Sequence, residues 1–237
     1  MSSPPPAPLT QPQIQQPPPM LSLSAPARRL IWTLQGPPST AITVMPPDLN
    51  PSSPNREPFY RPPPAPNQPA SFHQIFGEPI SDPPAASITV QEEYLGDWRN
   101  EWYTLNQEGF DGSEPNEEEY SDMPPEFAPL VVTASPAGPG NGEFVTVGDY
   151  IRAVHPWLMG LRRQIVKARD VAGLTGGDED GQGVRLMVTA DRPELVRVEE
   201  EGEWMGTLRW CWEEGERRRR EREEEESGQG QEGGQQE

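Results

Sequence analysis

The chain has 237 residues, but its 32 prolines and an apolar content of 32% allow one modest hydrophobic core rather than two. A net charge of −19 argues against binding to nucleic acids or anionic membranes, because either would need a basic footprint. Because Cys211 is the single cysteine, no disulfide can form within the chain, and packing must hold the fold together.

The sequence indicates an intracellular protein, either cytoplasmic or nuclear. Residues 1–13, MSSPPPAPLTQPQ, lack the basic stretch followed by an apolar stretch that is typical of a secretory signal. No apolar run approaches the roughly 18 residues of a membrane span, and a single cysteine suits a reducing compartment. We therefore expect neither secretion nor membrane insertion.

The first half of the chain is proline-rich and predicted to be largely disordered. Residues 1–27 mix proline, glutamine and serine with almost no charge, which predicts a disordered tail. Residues 28–45 contain two short apolar runs and are predicted to form the first strands of a domain. Residues 46–126 are predicted to be a proline-rich and acidic insertion, partly disordered, in which residues 86–105 form a strand and then a packed loop or short helix.

Residues 127–213 are predicted to form the main body of the domain, around one amphipathic helix. Thr146 followed by Asp149 has the spacing of a capping box, so the helix should begin there. At about 100° per residue, Pro156 lies opposite the apolar face, so it should kink the helix rather than end it, and Gly173 should terminate it. The apolar face is predicted to comprise Tyr150, Ile151, Val154, Trp157, Leu158, Leu161, Ile165 and Ala168.

Three apolar runs follow the helix, and all are predicted to be strands. They span residues 184–190, 195–198 and 204–212, and Gly202 is expected to turn the last two into a hairpin. Residues 214–237 should form a charged helix supported by Glu/Arg pairs, followed by a disordered tail. The predicted fold is therefore α+β: a small antiparallel sheet packed by one kinked amphipathic helix, with long disordered proline-rich and acidic segments.

One stretch carries a family resemblance. Residues 145–158, VTVGDYIRAVHPWL, placed well after a strand that contains Trp32, resemble a fungal family known as domain of unknown function 6699. The resemblance covers residues 28–45 and 127–213, and residues 146–158 are its specific motif. It implies the fold of that family, and it implies no catalytic residue because the family has no assigned activity.

The residue types that carry most catalysis and metal binding are scarce. His155 is the obvious candidate for a general base, but no serine, cysteine or second histidine is spaced as its partner, so we expect a half-exposed structural histidine. Two histidines and one cysteine do not suit a zinc site. Residues 178–180, DED, resemble the start of a calcium loop, but its twelfth position is Thr189 rather than glutamate, which favours a solvated connector. We predict no catalytic, cofactor or metal site.

One group of basic residues points to a partner. Arg152, Arg163 and Lys167 fall on the solvent side of the predicted helix, in a segment without acidic residues, and we call these three residues the basic strip. The strip could bind an acidic protein partner, or the chain's own acidic residues 114–126 or 221–226. An ordinary solvated helix face is the alternative interpretation.

The sequence favours a non-enzymatic protein-interaction module in a largely disordered acidic chain. One alternative is an enzyme whose site is assembled from scattered residues. Another is an acidic transcriptional-type effector, because aromatic residues such as Phe110 and Tyr120 stand in acidic surroundings. We expect a protein partner rather than nucleic acid or membrane, and the sequence does not indicate an oligomeric state.

Overall fold

The computed structural model describes residues 20–63, 65, 67–106, 123–174 and 183–232. Most of the predicted disordered tail, most of the acidic segment, the predicted connector at 178–180 and the last five residues lie outside these ranges. The predictions made for those segments therefore stay predictions.

The described residues form eleven strands, four α-helices and two short 3₁₀ turns. The strands are β1 (Ser22–Leu23), β2 (Leu30–Thr33), β3 (Ile42–Val44), β4 (Glu57–Pro58), β5 (Tyr60–Arg61), β6 (Ser71–Phe72), β7 (Ser81–Asp82), β8 (Ser87–Glu92), β9 (Leu130–Thr133), β10 (Leu186–Arg192) and β11 (Leu195–Glu200). The helices are α1 (Pro38–Ala41), α2 (Glu93–Asn106), α3 (Val147–Val171) and α4 (Glu201–Glu232). The fold is therefore mixed α+β, as the sequence predicts.

The central sheet is larger than predicted and is not purely antiparallel. Within the described ranges it contains seven strands in the order β4-β3-β2-β10-β11-β8-β9. Strands β8 and β11 pair in parallel, whereas the other neighbours are antiparallel. The predicted small antiparallel sheet is thus wrong, because β8 comes from the segment interpreted as an insertion and takes a place between two strands of the main body.

Several residues of the predicted insertion belong to the hydrophobic core. Strand β8 alternates exposed and buried residues, and its Ile88 and Val90 are buried. Phe59, Ile75 and Ile80, from the proline-rich part before it, are buried in the same cluster. Short apolar segments between prolines can therefore contribute to a core even where regular structure is brief. Ala27 is also buried, so the predicted tail 1–27 extends too far into the domain.

Helix α3 covers one face of the sheet and begins at the predicted cap. The Thr146 hydroxyl accepts a hydrogen bond from the Asp149 N–H at 3.0 Å, and the Asp149 carboxylate accepts one from the Thr146 N–H at 3.2 Å. This confirms the capping box. Pro156 lies inside the helix with an exposed side chain, which agrees with its predicted position opposite the apolar face. Of the predicted core residues, Tyr150, Ile151, Val154, Leu158, Ile165 and Ala168 are buried, and Trp157 and Leu161 are partly buried.

Helix α4 covers the opposite face, where the sequence predicts a strand. Residues 204–212 are helical throughout, so the predicted hairpin with residues 195–198 is wrong, and β11 instead pairs with β10. Trp204 packs with Ile31, Met45 and Met187 in a second apolar cluster. Because successive strand residues point to opposite faces, these side chains lie across the sheet from α3. None of the helices in the described ranges is long and apolar enough to cross a lipid bilayer.

Candidate functional site

The three residues of the basic strip are exposed on one side of α3. Arg152, Arg163 and Lys167 lie within about 60° of one another around the helix, over a length of about 22 Å. No ion pair joins any of the three to another described residue. The strip therefore presents three positive charges to solvent on a strongly acidic protein.

Aromatic rings support the first residue of the strip. The Arg152 guanidinium lies 4.7 Å from the centre of the Phe76 ring and 5.3 Å from that of Phe72. These two rings stack on each other with centroids 4.2 Å apart, and Tyr60 meets Phe72 edge to face. A cation over an aromatic face is held in place while it keeps its charge at the surface.

The last residue of the strip has a similar support from a different element. The Lys167 ammonium lies 5.4 Å from the centre of the Trp98 ring, which belongs to α2. Trp98 is buried and contacts Phe127, with ring centroids 6.4 Å apart. The basic strip thus has an aromatic group at each end, a feature that the sequence does not reveal because both sets of rings are distant along the chain.

Arg169, which the sequence places in the same run of positive charge, is not at the surface. It is 1% exposed, and its guanidinium donates to the carbonyl of Val198 at 2.8 Å and to that of Leu174 at 3.2 Å. It also donates to the Glu203 carboxylate at 2.9 Å and lies 3.8 Å from that of Glu200. Arg169 therefore joins α3 to β11 and to the first turn of α4.

Glu92 is the second buried charged group that the sequence analysis missed. It is 4% exposed and follows Ile88 and Val90 on the buried side of β8, so the alternation of that strand could have revealed it. Its Oε2 accepts a hydrogen bond from the Leu95 N–H at 2.9 Å, which caps the first turn of α2. Burial raises the pKa of Glu92 to about 7, although the backbone N–H groups of Leu95 and Val198 favour the carboxylate.

This raised pKa predicts that the domain loses stability as the pH rises. A carboxyl whose pKa is higher in the folded than in the unfolded chain stabilises the fold most below about pH 4.5, and that contribution is lost as the pH rises through about 7. Relative to Glu92→Gln, which stays neutral, the wild type should lose roughly 3 kcal/mol of unfolding free energy between pH 4.5 and pH 8. Urea denaturation of both proteins across this range measures the difference.

The comparison with the variant removes the contributions of other titrating groups. Burial lowers the pKa of His73, so this residue alone would make stability rise with pH. Both proteins retain His73, and its contribution cancels in the difference. Parallel stability curves for wild type and Glu92→Gln would show that the carboxyl titrates normally in the folded domain.

Both histidines are buried. His155 is 3% exposed, where a half-exposed side chain was expected. Its Nδ1 accepts from the Trp32 indole N–H at 2.8 Å, and its Nε2 donates to the Gly36 carbonyl at 2.8 Å. His73, within the predicted insertion at 46–126, caps a 3₁₀ turn by accepting a hydrogen bond from the Ile75 N–H. Both ring nitrogens of His155 are occupied by structural partners. This supports its interpretation as a structural residue, although the side chain is buried rather than half-exposed.

The described residues hold no group of three His, Cys, Asp or Glu side chains placed to bind a metal ion. What the site offers is a charged surface supported by aromatic rings, above a helix whose far end is fixed by a buried arginine. Such an arrangement can bind an anionic group by charge and an aromatic or aliphatic group by contact with the rings. Comparison of the chain with models of protein families, with curated proteins and with solved structures finds no match.

Proposed function

We propose that this chain is a non-enzymatic protein-interaction module whose basic strip binds an acidic protein segment that contains an aromatic residue. The observation that carries the proposal is the exposure of Arg152, Arg163 and Lys167 on one face of α3, with no ion pair to a described residue. By contrast, Arg217, Arg218 and Arg219 on α4 each pair with a glutamate.

Several weak contacts must act together for such a surface to bind. An exposed ion pair contributes only about 0–1 kcal/mol, so three separate pairs do not give a stable complex by charge alone. Aromatic surface for contact is available at one end, where Phe72 is 41% exposed beside Arg152, whereas Trp98 is buried under Lys167 and supports that cation from below. Arginine and aromatic side chains are the residue types that dominate protein interfaces.

The chain's own acidic segment is one possible source of the bound peptide. Glu126 and Phe127, at the end of that segment, lie beside α2: Glu126 is 3.7 Å from Arg99, and Phe127 contacts Trp98. Residues 114–126 carry six acidic side chains and one tyrosine. They therefore provide both a rival occupant of the strip and a convenient probe of its specificity.

A binding experiment with the full chain tests the proposal. A labelled synthetic peptide of residues 114–126, EPNEEEYSDMPPE, is titrated with wild-type protein, and its fluorescence anisotropy is measured at low and at physiological salt. We expect saturable binding that weakens as salt screens exposed charges. The variant with Arg152, Arg163 and Lys167 all replaced by glutamine should bind at least tenfold more weakly.

The matched control replaces Arg217, Arg218 and Arg219 with glutamine, which removes the same charge from α4. This variant should bind the peptide as the wild type does. Neither protein should bind a version of the peptide that has glutamine in place of glutamate. Equal affinities for the wild type and the basic-strip variant would refute the proposal.

Small-angle scattering separates an external partner from the chain's own segment. If residues 114–126 occupy the strip, the radius of gyration should increase in the basic-strip variant, and high salt should have the same effect on the wild type. An identical radius of gyration for both proteins at low and high salt would exclude this internal contact and leave an external acidic partner.

We further propose that the partner is intracellular, in the cytoplasm or the nucleus. The single cysteine, Cys211, is exposed and free, which suits a reducing compartment. The resemblance of residues 145–158 to the fungal family of unknown function stays a prediction. It implies no catalytic residue, and this is the only respect in which it supports a binding role.

A further inference from the structure

A cleft of about 450 Å³ is bordered by α4 on one face of the sheet and reaches Trp32 and Tyr150 on the face that α3 covers, away from the basic strip. It opens where two central strands separate. Strands β2 and β10 are paired at Trp32 with Val188 and at Thr33 with Met187, but the pairing does not continue to Leu30 and Ala190. The space between the separated strands is bordered by the short strand β1 and by α4.

The walls of the cleft are mainly apolar. Leu30, Trp32 and Val188 line it from the sheet, and Trp204, Leu208 and Trp212 line it from α4. Leu208 and Trp212 are only partly buried, so the sheet does not cover these side chains completely. The volume and the apolar lining of the cleft are typical of sites that hold a small organic molecule. Such sites have volumes of about 300 to 1,000 Å³.

Three arginines and three acidic residues lie at the rim of the cleft, and two of the acids are paired with arginines. Among the acidic residues there, Asp191 pairs with Arg197 at 2.6 Å, and Glu216 pairs with Arg219 at 2.8 Å. Arg28, at the β1 side of the rim, uses its Nε to donate to the Leu23 carbonyl at 3.0 Å.

The two terminal nitrogens of the Arg28 guanidinium form no ion pair with a described residue. Asp48, the remaining acid at the rim, accepts a hydrogen bond from the Asn50 N–H at 3.2 Å. Arg222 adds a second cation from the last described turns of α4. An apolar interior with arginines at its opening is complementary to a molecule with an apolar body and one anionic end.

We propose that this cleft binds an amphipathic carboxylate of the medium-chain fatty acid class. The alkyl chain lies between the separated strands and α4, and the carboxylate contacts Arg28 at the rim. Binding is non-covalent and leaves the ligand unchanged. The site shares no residue with the basic strip, so it extends the function proposed above and can fail or succeed independently of it.

Isothermal titration of the full chain with dodecanoate tests this site directly. We expect one molecule bound per chain, with an affinity at least tenfold higher than for dodecylammonium, which has the same chain and the opposite charge. Thr207, exposed on α4, also lines the cleft. Replacing Thr207 with tryptophan should fill the opening without entering the core and lower the affinity for dodecanoate at least tenfold.

Matched variants separate the site from general surfactant binding. Thr104→Trp makes the same change at an exposed position of α2 and should leave binding unchanged. Arg28→Gln should weaken dodecanoate several-fold and remove the preference over dodecylammonium, whereas Arg56→Gln, at an exposed position outside the cleft, should not. Equal binding by Thr207→Trp and wild type would refute the cleft as the site, and equal affinity for the two surfactants would refute the carboxylate.

Discussion

Val154→Asp should unfold the domain under conditions in which the wild type is stable. Val154 is 0% exposed on the face of α3 that packs against the sheet. Aspartate is somewhat smaller than valine, but most of the loss comes from a buried polar group without a partner rather than from the small cavity. We expect a loss of about 4 kcal/mol or more, which is a large part of the 5–15 kcal/mol typical of a natural domain.

Two further variants identify the cause. Arg152→Asp changes an exposed residue two positions earlier and loses only its contact with Phe72 and Phe76, for which we expect about 0.5–1 kcal/mol. Val154→Thr keeps the branched shape but has a hydroxyl in place of one methyl group. Its loss of stability should therefore fall between those of Val154→Asp and Arg152→Asp. Thermal melts followed by near-ultraviolet circular dichroism rank the three proteins. Comparable losses in Val154→Asp and Arg152→Asp would mean that the orientation of α3 is wrong.

Arg169→Met should cost the second-largest amount of stability, about 2–4 kcal/mol. Methionine can fill much of the space of the arginine side chain, but it leaves the buried Val198 carbonyl without a donor. The variant also loses the contact of the guanidinium with Tyr94, whose ring centre is 5.2 Å away. Glu200 and Glu203 are partly exposed and can be solvated, which keeps the loss below that of a fully buried ion pair.

The same substitution at Arg163 provides the control. Arg163 is exposed on the same helix, so Arg163→Met should change stability by no more than about 0.5 kcal/mol. Urea denaturation of both variants measures the contrast. A similar small effect at both positions would indicate that Arg169 is solvated in the folded protein.

Helix α3 could be predicted in detail because its signals are local. The capping box needs only Thr146 and Asp149, three residues apart, and the apolar face repeats at helical spacing from Tyr150 to Ala168. Pro156 could be tolerated because it falls on the exposed side. The strand at β9 was predicted for the same kind of reason, a short β-branched run followed by a turn-rich segment.

The first part of helix α4, before the predicted charged helix, was missed because two periods coincide there. Trp204, Leu208 and Trp212 are four residues apart, a spacing that suits alternate strand positions and successive helical turns equally well. Trp210 distinguishes the two: on a strand it would share their face, but on a helix it points about 160° away from Leu208. It is 66% exposed, as the helix requires.

The candidate site was only partly predictable. The basic strip can be read from the spacing of Arg152, Arg163 and Lys167 on one helix, and all three are exposed. The burial of Arg169 could not be read in this way, because it depends on Val198 and Glu203, which lie 29 and 34 residues away along the chain. The same holds for His155, whose indole partner Trp32 is 123 residues away.

The central claim, that the basic strip is a binding surface for an acidic segment, is tested most directly by the indole N–H signals of the protein. The chain has seven tryptophans, and these signals can be resolved by nuclear magnetic resonance after ¹⁵N labelling. The Trp98 and Trp32 side chains are both buried, but Trp98 lies under Lys167, whereas Trp32 donates its indole N–H to His155. The two residues thus provide a reporter and an internal control within one spectrum.

During titration with the peptide of residues 114–126, the Trp98 indole signal should shift in a saturable way while the Trp32 signal stays in place. Replacing Trp98 with phenylalanine assigns the signal, and the basic-strip variant should abolish the shift. A titration in which the signal of exposed Trp210 moves and that of Trp98 does not would place the acidic segment on α4 and contradict the account.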